Sequence, residues 1–228
     1  MAHDIGIREE IRDRVIARRG RVHLFDHLAA SETAMVVIDM QATFVAPGSP
    51  AEVPAARGII DNISAAAAAL RDKGALIIWV THANRGVGTG SDWDGFFNVF
   101  VANAMRERTI ASLAEDSPDT RVWHQCDVAE NDIHVFKNRY SALIQGASPL
   151  ERILRSRGIK NLLIAGTKTN VCCEATARDA MMLDFNVVML SDCTAALSDD
   201  EHRATLETFI QQFGDVLSGA EAVALVGD

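Results

Sequence analysis

The chain has 228 residues, enough for one generous domain and too few for two of the usual roughly 100–200 residues each. With 48% hydrophobic and 23% charged residues it can collapse on a sizeable core, which excludes a disordered chain; its apolar runs fall far short of the roughly 20 residues a bilayer crossing needs, and the polar first ten residues carry no apolar segment of a secretory leader. A net charge of −9, with no Lys/Arg cluster interleaved with aromatics, repels a polyanion, so neither nucleic acid nor membrane is an expected partner.

In chain order, residues 5–19 place Ile5, Ile7, Ile11, Val15 and Ile16 at helical spacing among many charges. This predicts an N-terminal helix with a wide polar face, outside the main fold. Residues 34–38 form a short β-branched run that ends at Asp39, as expected of a strand buried on both faces. Pro47, Gly48, Pro50 and Pro54 mark a loop, and residues 55–73 a helix that Gly74 stops. The unit then repeats, with a strand at 76–81, a polar Gly-rich loop at 82–95 and a partly helical stretch at 97–113.

A third strand is expected at 133–137, followed by a helix that Ser148 caps, with Pro149 first and Glu151 completing a capping box, ending at Gly158. Strands at 162–165 and 187–190, helices at 171–183 and 199–212 and a sixth strand at 216–217 complete the pattern. Alternating strands and helices imply right-handed crossovers and a parallel sheet covered on both faces, an α/β fold. No linker or repeat divides it, and the chain reads as a helical extension over residues 1–33 and a domain over 34–228.

In such a sheet ligands bind at the carboxyl ends of the strands. The first strand ends in Asp39-Met40-Gln41, the third in Lys137-Asn138-Arg139, and the fourth in a Gly-Thr-Lys-Thr-Asn turn leading to Cys172 and Cys173. A carboxylate, an ammonium and a thiol thus meet on one edge. A helix start and a nearby cation favour the thiolate, a carboxylate can carry its proton to a leaving amine, and backbone N–H groups of the turn can hold an oxyanion. Singly, an Asp after a strand is a cap or turn residue, a Cys a core residue and a Lys a solvated strand end; only their joint placement describes acyl transfer to a cysteine. Four cysteines, Cys126, Cys172, Cys173 and Cys193, are too few for a disulfide scaffold and point to free thiols in a reducing cytoplasm.

Val-Val-Ile-Asp-Met-Gln at 36–41, Lys-Asn-Arg-Tyr-Ser-Ala at 137–142 and Gly-Thr-Lys-Thr-Asn-Val-Cys-Cys-Glu-Ala-Thr-Ala-Arg-Asp-Ala at 166–180 resemble the three signature segments of the isochorismatase-like cysteine hydrolases. The resemblance implies a three-layer, Rossmann-like α/β/α sandwich with a parallel six-stranded sheet. It also implies Asp39 as general base, Lys137 as the group that supports the thiolate, Cys172 as nucleophile, and a cis peptide between Thr167 and Lys168 that aims the N–H groups of Lys168 and Cys172 into an oxyanion hole.

The cysteine favours amide C–N hydrolysis over the vinyl-ether cleavage of true isochorismatases, which lack it; a C–O hydrolase and a non-catalytic regulatory member are the alternatives. Nicotinamidases of the family bind a metal through Asp-x-His and a further His after the second strand. Here that strand leads into Thr81-His82-Ala83-Asn84-Arg85, so neither metal nor cofactor is expected. The segment at 137–142 and the N-terminal extension look most like N-carbamoylsarcosine and ureidoacrylate amidohydrolases, which implies a small linear ureide, carbamoyl or amide substrate. Gln41, Phe44, Asn84, Arg85, Trp93, Arg139 and Tyr140 are the candidate substrate contacts, the arginines as partners for a carboxylate and the aromatics as pocket walls. His82 is a candidate contact or a polar loop residue. Relatives are commonly dimers or tetramers, so a homo-oligomer is expected, with the N-terminal helix and the apolar tail 220–226 as interface material.

Overall fold

The computed structural model describes residue 3, residues 5–87 and residues 90–228. Six strands, β1 (Thr33–Ile38), β2 (Leu76–His82), β3 (Ile133–Lys137), β4 (Asn161–Thr167), β5 (Asn186–Ala195) and β6 (Asp215–Leu217), form one sheet in the order β3-β2-β1-β4-β5-β6. Every pairing in it is parallel. The order reverses between β1 and β4, which opens a crevice at their carboxyl ends.

Every residue of β1 and β4 is buried, because helices cover both faces and the side chains alternate between them. Met35 and Val37 join Ile77, Trp79, Leu163 and Val188 in one core layer, which α2 (Ile60–Asp72) covers through Ile63, Ala67 and Leu70. Val36 and Ile38 join Ile78, Val80, Ile164 and Met189 in the other. That layer is covered by α1 (Glu9–Arg19), α4 (Leu150–Ser156), α5 (Glu174–Met182) and α6 (Asp199–Gln212), which contribute Ile11, Val15, Leu154, Ala177, Phe209 and Ile210. The result is a three-layer α/β/α sandwich.

Several elements depart from the sequence pattern. The N-terminal helix starts at Glu9, packs against α6 through Ile11 and Val15, and is pinned by Arg8, whose guanidinium donates to both oxygens of Glu207 at 2.6–3.1 Å. The stretch expected to be partly helical splits into a turn at Asp94–Phe97 and α3 (Asn103–Ser112). Ser148 Oγ accepts from the N–H of Leu150 and donates to the carbonyl of Ala142; Glu151 instead faces Arg155, so no reciprocal capping box forms.

The apolar tail forms α7 (Gly219–Leu225) and then pairs Val226 and Gly227 with Leu28 and Ala29. Ala222 and Val226 are buried within the chain, while Ala220, Glu221 and Ala224 stay exposed. Among the described residues no helix is long and apolar enough to cross a membrane.

Candidate active site

The carboxyl ends of β1, β2, β3 and β4 meet in register, with Ile38 beside Val80 and Gly166, and His82 beside Lys137. Asp39 follows directly and adopts φ 55°, a left-handed conformation, while its N–H still donates to the carbonyl of Val80 at 2.7 Å. That turn departs from the extended strand at a cost of about 1 kcal/mol for a non-glycine residue. Gly166 makes room for it: at φ 109° a Cβ there would overlap the backbone of Ile38, so only glycine fits.

Asp39 is wholly buried, and the Lys137 ammonium lies 2.9 Å from its Oδ2. Lys137 also donates to the carbonyl of Arg139 at 3.1 Å and to Nδ1 of His82 at 3.3 Å. Burial pulls Lys137 down, but the Asp39 carboxylate, with Cys172, more than offsets it and holds the ammonium above its ordinary value. Burial raises the Asp39 carboxyl, and the Lys137 charge opposes that without cancelling it. A carboxylate with a raised pKa is the stronger proton acceptor.

Cys172 lies in a wide π-type turn, Thr169–Cys173, that leads into α5. The two adjacent thiols part company there. Cys173 is fully buried and donates to the carbonyl of Ala165 at 3.7 Å, whereas Cys172 lines a cavity of about 470 Å³. Burial pushes the Cys172 thiol up, the neighbouring Asp39 carboxylate pushes it further, and Lys137 pulls it down by less. Burial and Asp39 thus oppose the thiolate that a helix start and the Lys137 cation favour. The Thr167–Lys168 peptide bond immediately before the turn is cis, and Lys168 lines the same cavity.

The candidate contacts divide into two groups. Phe44, Trp93 and Tyr140 line the cavity; among the described residues that line it, Gln41, Asn84, Arg85 and Arg139 do not appear. Gln41 ties β1 to β2, accepting from the N–H of His82 at 2.6 Å and donating to its carbonyl at 3.0 Å. Asn84 accepts from Nε2 of His82 at 2.9 Å and donates to Asp92 at 2.7 Å. Arg85 is exposed and held bidentately by Glu115. Arg139 donates to the carbonyls of Asn138 and Asp92, with its guanidinium packed over Trp93.

His82 is buried at the cavity wall, and burial first, then the Lys137 charge, holds its imidazole well below the ordinary value. It is neutral, accepts from Lys137 at Nδ1 and donates to Asn84 from Nε2. Sequence reasoning missed Phe96, Phe97 and Leu197, which also line the cavity; the phenylalanine-rich run after Trp93 was the available signal. It also missed His202, whose Nδ1 shares a 2.9 Å hydrogen bond with Thr169 Oγ1 in the turn that carries Cys172 and whose ring stacks on His3 at 4.4 Å. No spacing in the chain announces a partner so far along the sequence from the turn it supports.

Comparison with known proteins places these features in a family. Residues 33–221 match the isochorismatase domain family. Ureidoacrylate amidohydrolase RutB of Klebsiella pneumoniae subsp. pneumoniae is 34% identical over 211 residues, covering 86% of this chain and 89% of that protein. A cysteine hydrolase from Pseudomonas syringae pv. phaseolicola has a TM-score of 0.79 at 27% identity, covering 90% of this chain and 96% of that one. A pyrazinamidase of Pyrococcus horikoshii, solved in complex with zinc, has a TM-score of 0.67 at 25% identity, covering 82% and 99%.

Both ring nitrogens of His82 are engaged, by Lys137 and Asn84, and among the described residues no three His, Cys, Asp or Glu side chains are grouped to hold a metal ion. The chain belongs to the isochorismatase family and, with its amidohydrolase relatives, is a hydrolase of carbon–nitrogen bonds other than peptide bonds.

Proposed function

We propose that this protein is a cysteine amidohydrolase that cleaves a C–N bond of a small linear ureide, carbamoyl or amide substrate through a thioester-type acyl-enzyme and releases ammonia. The observation that carries the reading is the buried Asp39–Lys137 pair, 2.9 Å apart, beside a thiol that opens on the cavity. Cys172 Sγ attacks the carbonyl carbon as its proton passes to Asp39, and the carbonyl oxygen gathers charge against the N–H groups of Lys168 and Cys172. The C–N bond then breaks. Asp39 returns the proton to the departing nitrogen, and ammonia leaves a thioester on Cys172. Water attacks that thioester, gives a proton to Asp39 and releases the acid, and the proton goes back to Sγ. Lys137 stays an ammonium throughout and balances whichever of Asp39 or Cys172 carries the negative charge.

No step passes through a metal or cofactor. We further propose a cytoplasmic location, in keeping with four free cysteines, and a homodimer or tetramer. We also propose that the chain divides functionally into an N-terminal extension over residues 1–33 and a hydrolase domain over 34–228. The test is ammonia release over a panel of ureides, carbamoyl amino acids, nicotinamide and maleamate. A substrate turned over by the wild type and not by Cys172→Ser is the expected result; ammonia release that survives Cys172→Ser removes the mechanism.

A further inference from the structure

The cavity is roomier and more apolar than a bare ureide needs. Its volume of about 470 Å³ falls within the range of sites that enclose ligands much larger than the scissile group. From the His82 that touches Lys137, rings continue outward. Trp93 stacks on His82 at 5.7 Å and on Phe96 at 4.6 Å, Tyr140 stands edge-on to Trp93 at 4.8 Å, and Phe96 stacks on Phe100, which is 77% exposed. An aromatic ladder thus runs from the reacting groups to solvent.

Charge on that wall is sparse. Both arginines nominated for a substrate carboxylate are committed elsewhere, Arg85 to Glu115 and Arg139 to two backbone carbonyls. Among the described residues the charged side chains at the wall are Lys168 and Glu52. Glu52 is already paired with Arg57 at 2.8 Å and repels an anion. A carboxylate carried into this cavity therefore meets one flexible lysine and no fixed fork of donors, while an aromatic group meets ring faces and edges in the arrangements that rings prefer.

We infer that the substrate carries an uncharged, flat apolar group, aryl or aralkyl, on the side away from the scissile bond, and that Trp93, Phe96 and Tyr140 select it. This rests on the amidohydrolase reading above, so the test separates the two. Binding of benzylurea and of ureidoacrylate to Cys172→Ser, by calorimetry, reads the pocket alone; ammonia release by the wild type reads the reaction. Benzylurea should bind Cys172→Ser, and be turned over by the wild type in kcat/KM, about tenfold or more better than ureidoacrylate. Trp93→Leu and Phe96→Leu, both at partly exposed positions, should each raise KM for benzylurea about fivefold with little change in kcat. Tighter binding and faster turnover of ureidoacrylate, lost in Lys168→Met, would overturn the aryl assignment and leave the hydrolase standing. Tight benzylurea binding with no Cys172-dependent ammonia from either compound removes the reaction, and this substrate with it.

Discussion

His202 ties the turn that carries Cys172 to α6, and its protonation should weaken the fold as pH falls. His202 is 1% exposed; burial first, then the neighbouring His3, lowers its pKa from 6.5 to about 4, although a hydrogen bond with the Ser191 backbone and the Asp199 charge pull the other way. A base whose folded pKa is depressed binds its proton more readily when unfolded. The stability it contributes is complete above pH 6.5 and declines as pH falls toward 4. At about 1.4 kcal/mol per pKa unit the full loss is roughly 3 kcal/mol. The perturbation is His202→Asn, which keeps a polar group near Thr169 but has nothing to titrate in this range. It leaves a small void, and that cost is the same at every pH, so the test lies in the slope. Urea unfolding monitored by tryptophan fluorescence at half-unit steps from pH 7.5 to 4.5 gives the free energy at each pH. The wild-type curve should fall more steeply than that of His202→Asn by most of those 3 kcal/mol, and parallel curves would refute the neutral, buried assignment.

The charges around Cys172 make opposite predictions for its alkylation. Asp39→Asn should lower turnover by roughly 10²- to 10⁴-fold yet speed iodoacetamide labelling of Cys172 near pH 7, because the carboxylate that holds the thiol up is gone. Lys137→Met should slow that labelling and move its rise to higher pH; circular dichroism must accompany it, since removing one partner of a buried pair costs about 3–5 kcal/mol unless Asp39 takes up a proton. Cys173→Ala should keep most of the activity and lose about 1 kcal/mol of stability, as its thiol donates into β4; an inactive but folded Cys173→Ala protein would exchange the roles of the two cysteines. Gly166→Ala should cost about 3 kcal/mol or more in a thermal or urea melt, because its Cβ meets the backbone of Ile38 rather than a side chain that can move. Dialysis against EDTA should leave ammonia release unchanged, and activity lost to the chelator and restored by zinc would show that His82 can exchange its present partners for a metal.

Local chemistry along the chain was enough to place all six strands, since runs such as Val36-Val37-Ile38 and Leu162-Leu163-Ile164 suit only positions covered on both faces. Strand and helix alternation then implied the parallel sheet, and the residues at or beyond the strand ends, Asp39, Lys137 and Cys172, were legible as a group because chain direction puts all such ends on one edge. What lay beyond reach of the sequence depends on contacts between distant segments. Whether an arginine faces substrate or a neighbour is settled by which carboxylate or carbonyl the fold brings beside it, and Glu115 and Asp92 captured Arg85 and Arg139. That the tail ends by pairing Val226 and Gly227 with Leu28 and Ala29 was also out of reach, because the two segments lie at opposite ends of the chain. The ionisation of Cys172 likewise depends on tertiary structure: helix position and a cation favour a thiolate, while burial and the proximity of Asp39 oppose it. Periodicity reports which side of an element is apolar, because that is a property of one segment; what a polar group pairs with, and what its charge costs, are properties of the packed whole.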